Sequence, residues 1–194
     1  MTLTSILGSA LHSVISLVVR PASAHCDTED GPAAVDGRRA LESGNVNIAL
    51  KWVRAVDESE VRESFEQARR VRSLDGEASE AADREFLETL VRVHRAGEGA
   101  GFEGIKPVGT PIPAQVSAAD RALEEGSIEP LRGLIDAERW AELEHRFEHA
   151  LGLKGFDDDD LAAARTYMDA YVSFFKYAEG HDHAHHGHDE HAHH

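Results

Sequence analysis

The stretch Ser79-Glu80-Ala81-Ala82-Asp83-Arg84-Glu85-Phe86-Leu87-Glu88-Thr89-Leu90-Val91-Arg92-Val93-His94-Arg95-Ala96-Gly97 decides the fold class. Ala82, Phe86, Leu90 and Val93 recur at steps of three and four, with Leu87, Val91 and His94 beside them, so one side of a helix is apolar. Gly97, Gly99 and Gly101 then terminate it.

The same period continues in both directions. Residues 33–43 predict a short helix ended by Gly44, and Asn45 caps a segment with Ile48, Ala49, Trp52, Val53 and Val56 at helical spacing. Asp57-Glu58-Ser59-Glu60 sets acids in the first turn of a third helix, where the dipole favours them, and its stripe is Val61, Phe65, Ala68 and Val71. Arg62, Arg69, Arg70 and Arg72 fall off that stripe and read as a solvated face. Residues 99–116 form a long Gly/Pro-rich loop without a phosphate-cradling pattern. Beyond it, residues 117–120 read as a cap for a helix with Ala122 and Leu123 in the core, ended by Gly126. Pro130 opens a predicted helix at 131–136. Residues 137–151 carry Trp140, Leu143, Phe147 and Leu151 on one face. Asp157 to Asp160 give the last helix an acidic start, and Leu161, Ala164, Tyr167, Met168, Tyr171, Val172, Phe174 and Phe175 follow. No strand-like alternation of useful length appears, so the expectation is an all-α helical bundle over residues 33–179.

With 194 residues, 41% of them hydrophobic, the chain can bury one sizeable core. A formal net charge of -16, from 36 acidic and 20 basic residues, repels phosphate backbones and argues against nucleic acid as a partner. The same charge favours cations. The single cysteine, Cys26, excludes an intrachain disulfide.

Residues 1–24 read as a signal peptide. Residues 6–19 form an apolar run interrupted by His12, too short and polar for a stable membrane span, and Ala22-Ser23-Ala24 is an A-x-A cleavage site. No Lys or Arg precedes Arg20, which is unusual for such a leader. Cleavage after Ala24 makes the protein periplasmic or secreted. It also makes residues 25–32, His25-Cys26-Asp27-Thr28-Glu29-Asp30-Gly31-Pro32, the mature N-terminus. That end offers an α-amine, an imidazole, the amide nitrogen of Cys26 and its thiolate within two residues. Such a donor set suits Ni or Cu better than Mg or Ca. Left uncut, the same residues are ordinary linker.

From residue 180 the composition changes. His181, His183, His185, His186, His188, His191, His193 and His194 are eight of the chain's 13 histidines, in a segment that reads as disordered and metal-binding, with Ni, Cu or Zn all suitable.

His25-Cys26-Asp27 resembles the metal hook of nickel superoxide dismutases, helical-bundle enzymes processed to a free His-Cys-Asp end. The resemblance implies a metal held by the amine and imidazole of His25 and by the amide and thiolate of Cys26, these two being the catalytic residues. His25, Cys26, Asp27 and Gly31 match; Asp30 occupies the place of that family's second cysteine, Glu29 that of a proline and Ala33 that of a tyrosine. Asp30 is therefore a candidate added ligand of harder character, and Asp27 a candidate hydrogen-bonding support. The wider chain resembles an uncharacterised family of small exported bacterial proteins. This resemblance rests on His25-Cys26-Asp27, Asp30-Gly31-Pro32, and Val93-His94-Arg95-Ala96-Gly97-Glu98-Gly99-Ala100 with Gly104, Lys106 and Pro107.

His94, on the edge of an apolar face with Glu98 one turn later, reads either as a buried histidine bonded to that carboxylate or to backbone, or as a further ligand oriented by Glu98. Arg95 reads as a partner of Glu88 or Glu98, or as an attractor of an anion such as superoxide. His145 and His149 have the i, i+4 spacing of a metal clamp, but stand opposite Leu143 and Phe147 and read as solvated. Asp157 to Asp160 lack the Gly and final Glu of a calcium loop. The expected function is an exported Ni or Cu protein, with superoxide dismutation if the site turns over. The alternative is a non-catalytic periplasmic chaperone, buffer or sensor, and a weaker one is an interaction module without metal. Metal ions are the expected partners, with superoxide added if the protein is catalytic. A homo-oligomer is left open.

Overall fold

A computed structural model describes residues 24–74 and 76–180; residues 1–23 of the leader predicted over 1–24 and the tail histidines lie outside the described residues. Seven α-helices and no named strand occur among the described residues: α1 Pro32–Ser43, α2 Asn47–Leu50, α3 Glu58–Arg72, α4 Glu77–Gly97, α5 Ala114–Glu125, α6 Trp140–Leu153 and α7 Leu161–Glu179. The all-α bundle expected from the periodicity is the fold. No helix among the described residues is long and apolar enough to cross a membrane.

Local chemistry explains the boundaries. Pro32 opens α1, where its missing N–H costs nothing, and Gly44 at φ 78° closes it by returning its N–H to the Ala40 carbonyl at 2.8 Å. The Asp160 carboxylate accepts the Ala163 N–H at 3.0 Å and caps α7. Helices α3 and α4 pack together through Phe65 and Phe86, whose rings meet edge-on at 5.5 Å. Helices α6 and α7 pack through Phe147 and Phe174 at 5.7 Å, while α1 lies on α4 and α5 on α7. Gly37 sets the α1–α4 approach, since a Cβ there would stand 2.5 Å from Leu87 Cδ2.

Three expectations are corrected. The helix predicted over 131–136 is only a 3₁₀ turn, Glu129–Leu131, because Gly133 takes the left-handed φ of 78°. The segment predicted helical to residue 56 stops at Leu50 and leaves Val56 80% exposed. Its Leu50 and Val53 carbonyls instead accept Arg165 Nη2 at 3.3 and 3.1 Å. Helix α5 starts right after Pro113 rather than at residue 117, which moves Asp120 from a cap into the helix.

Arg165 also pairs with Glu58 at 2.7 Å, so one guanidinium ties α7 to the end of α2 and the start of α3. Burial alone would raise the Glu58 carboxyl, but Arg165 and Arg62 outweigh it and hold it below the usual range. A depressed carboxyl stabilises the fold above its unfolded pKa of about 4.3, and that stability is lost as pH falls. Arg165→Met is expected to cost about 1 kcal/mol at pH 7, modest because both partners are partly exposed. The deficit should shrink below about pH 4, which urea unfolding at the two pH values checks.

Candidate functional site

The site begins with a single 3₁₀ turn, Ala24–Asp27, fastened by the Gly/Pro-rich loop. Lys106 N–H donates to the Asp27 carbonyl at 2.7 Å and Glu29 N–H donates to the Lys106 carbonyl at 2.9 Å, a one-step parallel bridge. The Thr28 hydroxyl donates back to the His25 carbonyl at 3.2 Å. Gly31 is required here, because a Cβ would lie 2.2 Å from that same His25 oxygen.

Asp27, 4% exposed, meets Arg95 Nε at 3.1 Å and Lys106 Nζ at 4.0 Å. Burial raises its carboxyl above the usual range, opposed by Arg95, Lys106 and His94. Arg95 Nη1 also reaches Glu98 Oε2 at 3.2 Å, and Lys176 Nζ takes Glu98 Oε1 at 3.2 Å. This chain of charges joins the N-terminal turn to the C-terminal ends of α4 and α7.

Both histidines of the site are buried and held in the same way. His25 Nε2 stands 2.7 Å from Asp120 Oδ2, its ring stacked on Phe175 at 5.4 Å; Asp120 Oδ1 also accepts the Tyr171 hydroxyl at 2.8 Å. His94 Nδ1 lies 2.9 Å from the Trp52 carbonyl, which can only accept, so this nitrogen carries the proton. In each ring the other nitrogen, His25 Nδ1 and His94 Nε2, is buried without a hydrogen-bond partner. His94 Nε2 is 3.6 Å from Glu98 Oε2, beyond hydrogen-bond range. In the neutral imidazoles these atoms are lone pairs.

Cys26 opens on a cavity of about 20 Å³ whose wall includes Trp52, His94, Glu98, Tyr171 and Phe175. A volume above about 10–15 Å³ holds one water-sized occupant. Burial, then the charges of Glu98, Asp120 and Asp27, push the thiol far above its ordinary range, with Arg95 opposing. At neutral pH it is S–H. A cation beside it would reverse that balance.

Not all the candidate residues converge. Cys26, His94 and Glu98 share the cavity, and His25, Asp27 and Arg95 brace it. Asp30 is exposed and lines a separate groove of about 500 Å³ with Arg38, Asp83 and Glu88. Among the described residues no three His, Cys, Asp or Glu side chains stand close enough to hold a metal ion. His145 and His149 are exposed on α6, and Asp160 is the α7 cap. Sequence reasoning missed Trp52, Asp120, Lys176 and Glu179 as parts of the site. Asp120 carried a signal, being an acid beside the apolar positions Val116, Ala119 and Leu123 of α5.

Fold and site together define an all-α domain with a small buried thiol–imidazole cavity at its N-terminal turn. The chain belongs to the family of unknown function DUF6448, whose model matches residues 30–177. That match contains His94, Arg95, Glu98 and Asp120 and begins just after the His25-Cys26-Asp27 turn. No curated protein and no solved structure matches the chain.

Proposed function

We propose that the protein is an exported transition-metal protein that binds Ni or Cu at His25 and Cys26, with His94 as a further ligand. The observation that carries this reading is the pair of buried imidazoles. Each has one nitrogen fixed by an acceptor and the other without a hydrogen bond, His25 by Asp120 and His94 by the Trp52 carbonyl; Cys26 follows His25 in the chain and shares a cavity wall with His94. A ligating histidine is typically oriented in this way through its second nitrogen. The nitrogen and sulfur donors fit Ni or Cu, whereas Asp30 does not fit, since it faces the separate groove. The three side chains do not stand close enough to hold an ion by themselves, and cleavage after Ala24 would add the His25 amine beside the Cys26 amide nitrogen.

Bound Ni or Cu would supply a one-electron redox couple beside the cavity. The chain's own contribution is orientation: Asp120 and Trp52 hold the two rings, Arg95 and Lys106 anchor the turn, and Trp52, Tyr171 and Phe175 form the apolar part of the cavity wall. Binding must displace the Cys26 thiol proton, so affinity falls as pH falls, by up to about tenfold per unit for each proton released. Asp30 leaves the position of a second thiolate outside the cavity, which favours a carrier, buffer or sensor over a superoxide dismutase.

The test is intact mass and metal content of the exported protein with the eight tail histidines replaced by alanine. The expected result is a chain beginning at His25 with one Ni or Cu and a sulfur-to-metal charge-transfer band. Cys26→Ser should abolish that band, and Asp120→Asn should weaken binding about 10–100-fold. Exported protein still beginning at Met1, or equal metal in Cys26→Ser, overturns the proposal. A superoxide rate no better than that of Cys26→Ser leaves the carrier reading.

A further inference from the structure

Tyr167 and Tyr171 stand one turn apart on α7, and with Tyr177 they are the chain's three tyrosines. Tyr167 is partly exposed. Its ring centre lies 6.1 Å from that of Tyr171, which is buried and lines the Cys26 cavity. This is the spacing of a packed aromatic pair, and an electron crosses such a gap between rings far more readily than it passes through saturated side chains. The Tyr171 hydroxyl already donates to Asp120 Oδ1 at 2.8 Å, so an acceptor is in place for the phenolic proton when the ring gives up an electron. Tyr177 is set differently. The guanidinium carbons of Arg139 and Arg146 lie 4.4 and 4.6 Å from its ring centre, and two cations there oppose removal of an electron.

We propose that Tyr167 and Tyr171 form a relay that carries one oxidising equivalent from a diffusible one-electron oxidant, such as an organic radical, to the buried thiol of Cys26. The oxidant takes an electron from Tyr167 at the surface, and the Tyr167 proton goes to water. Tyr171 then refills Tyr167, which regains a proton from water, while the Tyr171 proton moves to Asp120. Cys26 in turn refills Tyr171, which takes its proton back from Asp120. The thiol proton passes to His94 Nε2, the buried lone pair on the same cavity wall. In sum the oxidant gains one electron, the Cys26 S–H bond breaks to leave a thiyl radical, and both tyrosines are restored. A relay is needed because the cavity, at about 20 Å³, admits nothing larger than a water-sized molecule. The relay requires no ion at Cys26 and does not rest on the metal reading.

The experiment uses the full-length chain with a chelator present, oxidised by flash-generated tris(bipyridine)ruthenium(III). The tyrosyl radical is followed by transient absorption and electron paramagnetic resonance. In the natural chain its signal is expected to rise and then decay quickly as Cys26 refills it. Cys26→Ser, a change of one atom, should leave the signal long-lived. Tyr171→Phe keeps the thiol but breaks the path, so the radical at Tyr167 should persist there too. Tyr177→Phe should match the natural chain. Equal lifetimes in the natural chain and Cys26→Ser, fast decay retained in Tyr171→Phe, or a lifetime altered by Tyr177→Phe overturns the relay. If Tyr171→Phe does not fold, the comparison with Cys26→Ser decides alone. Because the chelator removes metal, failure of the relay leaves the metal reading standing, and failure of metal binding leaves the relay standing.

Discussion

Arg95→Met is expected to lower the free energy of unfolding by about 3–5 kcal/mol. Arg95 is 2% exposed and Asp27 4% exposed, so the substitution leaves a buried carboxylate without the guanidinium at 3.1 Å. It also removes one of the two cations bound to Glu98. Lys106, at 4.0 Å from Asp27 and a third exposed, is too distant and too solvated to substitute. Methionine fills similar space, so the loss is electrostatic rather than a cavity. The pH dependence separates the two. Burial already raises the Asp27 carboxyl, and without Arg95 it rises further, so the folded state holds a proton that the unfolded state releases. Stability of the variant therefore grows as pH falls through that range, and its deficit against the natural protein narrows toward about pH 4. Urea unfolding at pH 7, 5.5 and 4 measures it. A deficit that is constant with pH means that Asp27 is not the group left uncompensated.

Gly31→Ala is expected to cost about 2–3 kcal/mol, the upper part of the overpacking range. The backbone of Gly31, at φ -71° and ψ 154°, suits any residue, so strain in the dihedrals is not the cause. The cause is the His25 carbonyl oxygen, 2.2 Å from the new Cβ, together with the Thr28 hydroxyl and carbonyl at 3.0 and 3.1 Å. Backbone cannot swing aside as a side chain can. The Ala24–Asp27 turn must move, and with it the 2.7 Å bond from Lys106 to Asp27 and the His25–Asp120 pair. Hydrogen exchange should show lost protection at Lys106 and Glu29, with α3 and α4 unchanged. Uniform loss across the bundle, or none, contradicts this account.

The helical layout was legible because packing followed periodicity. Phe65, Phe86, Leu90, Leu143 and Phe174 all fall on the stripes read from the sequence, and all are fully buried. What failed were the segments where a distant group competes for the backbone. Arg165 takes the carbonyls that would have extended α2, and no local pattern announces a residue more than 110 positions away. The site was half legible. His94 and Glu98 stood out as polar residues beside an apolar face, and the bond from His94 to backbone matches the plainer of its two readings. Asp120 and Trp52 were not visible as partners, since each meets its histidine only after α5, α7 and the α2 segment have packed. Asp30, a candidate ligand through its place in the resembled motif, is exposed and lines a groove with Arg38, Asp83 and Glu88 rather than the Cys26 cavity.

The depth of His25 has a bearing on maturation. At 7% exposure, with its imidazole clasped by Asp120 and its carbonyl bonded to Thr28, the peptide bond joining it to Ala24 is poorly placed to enter a protease cleft, which requires several extended residues. Removal of a leader at that bond would have to precede docking of the turn. Processing and folding would then be ordered in time, and in a chain that folded first the His25 nitrogen would stay a peptide amide.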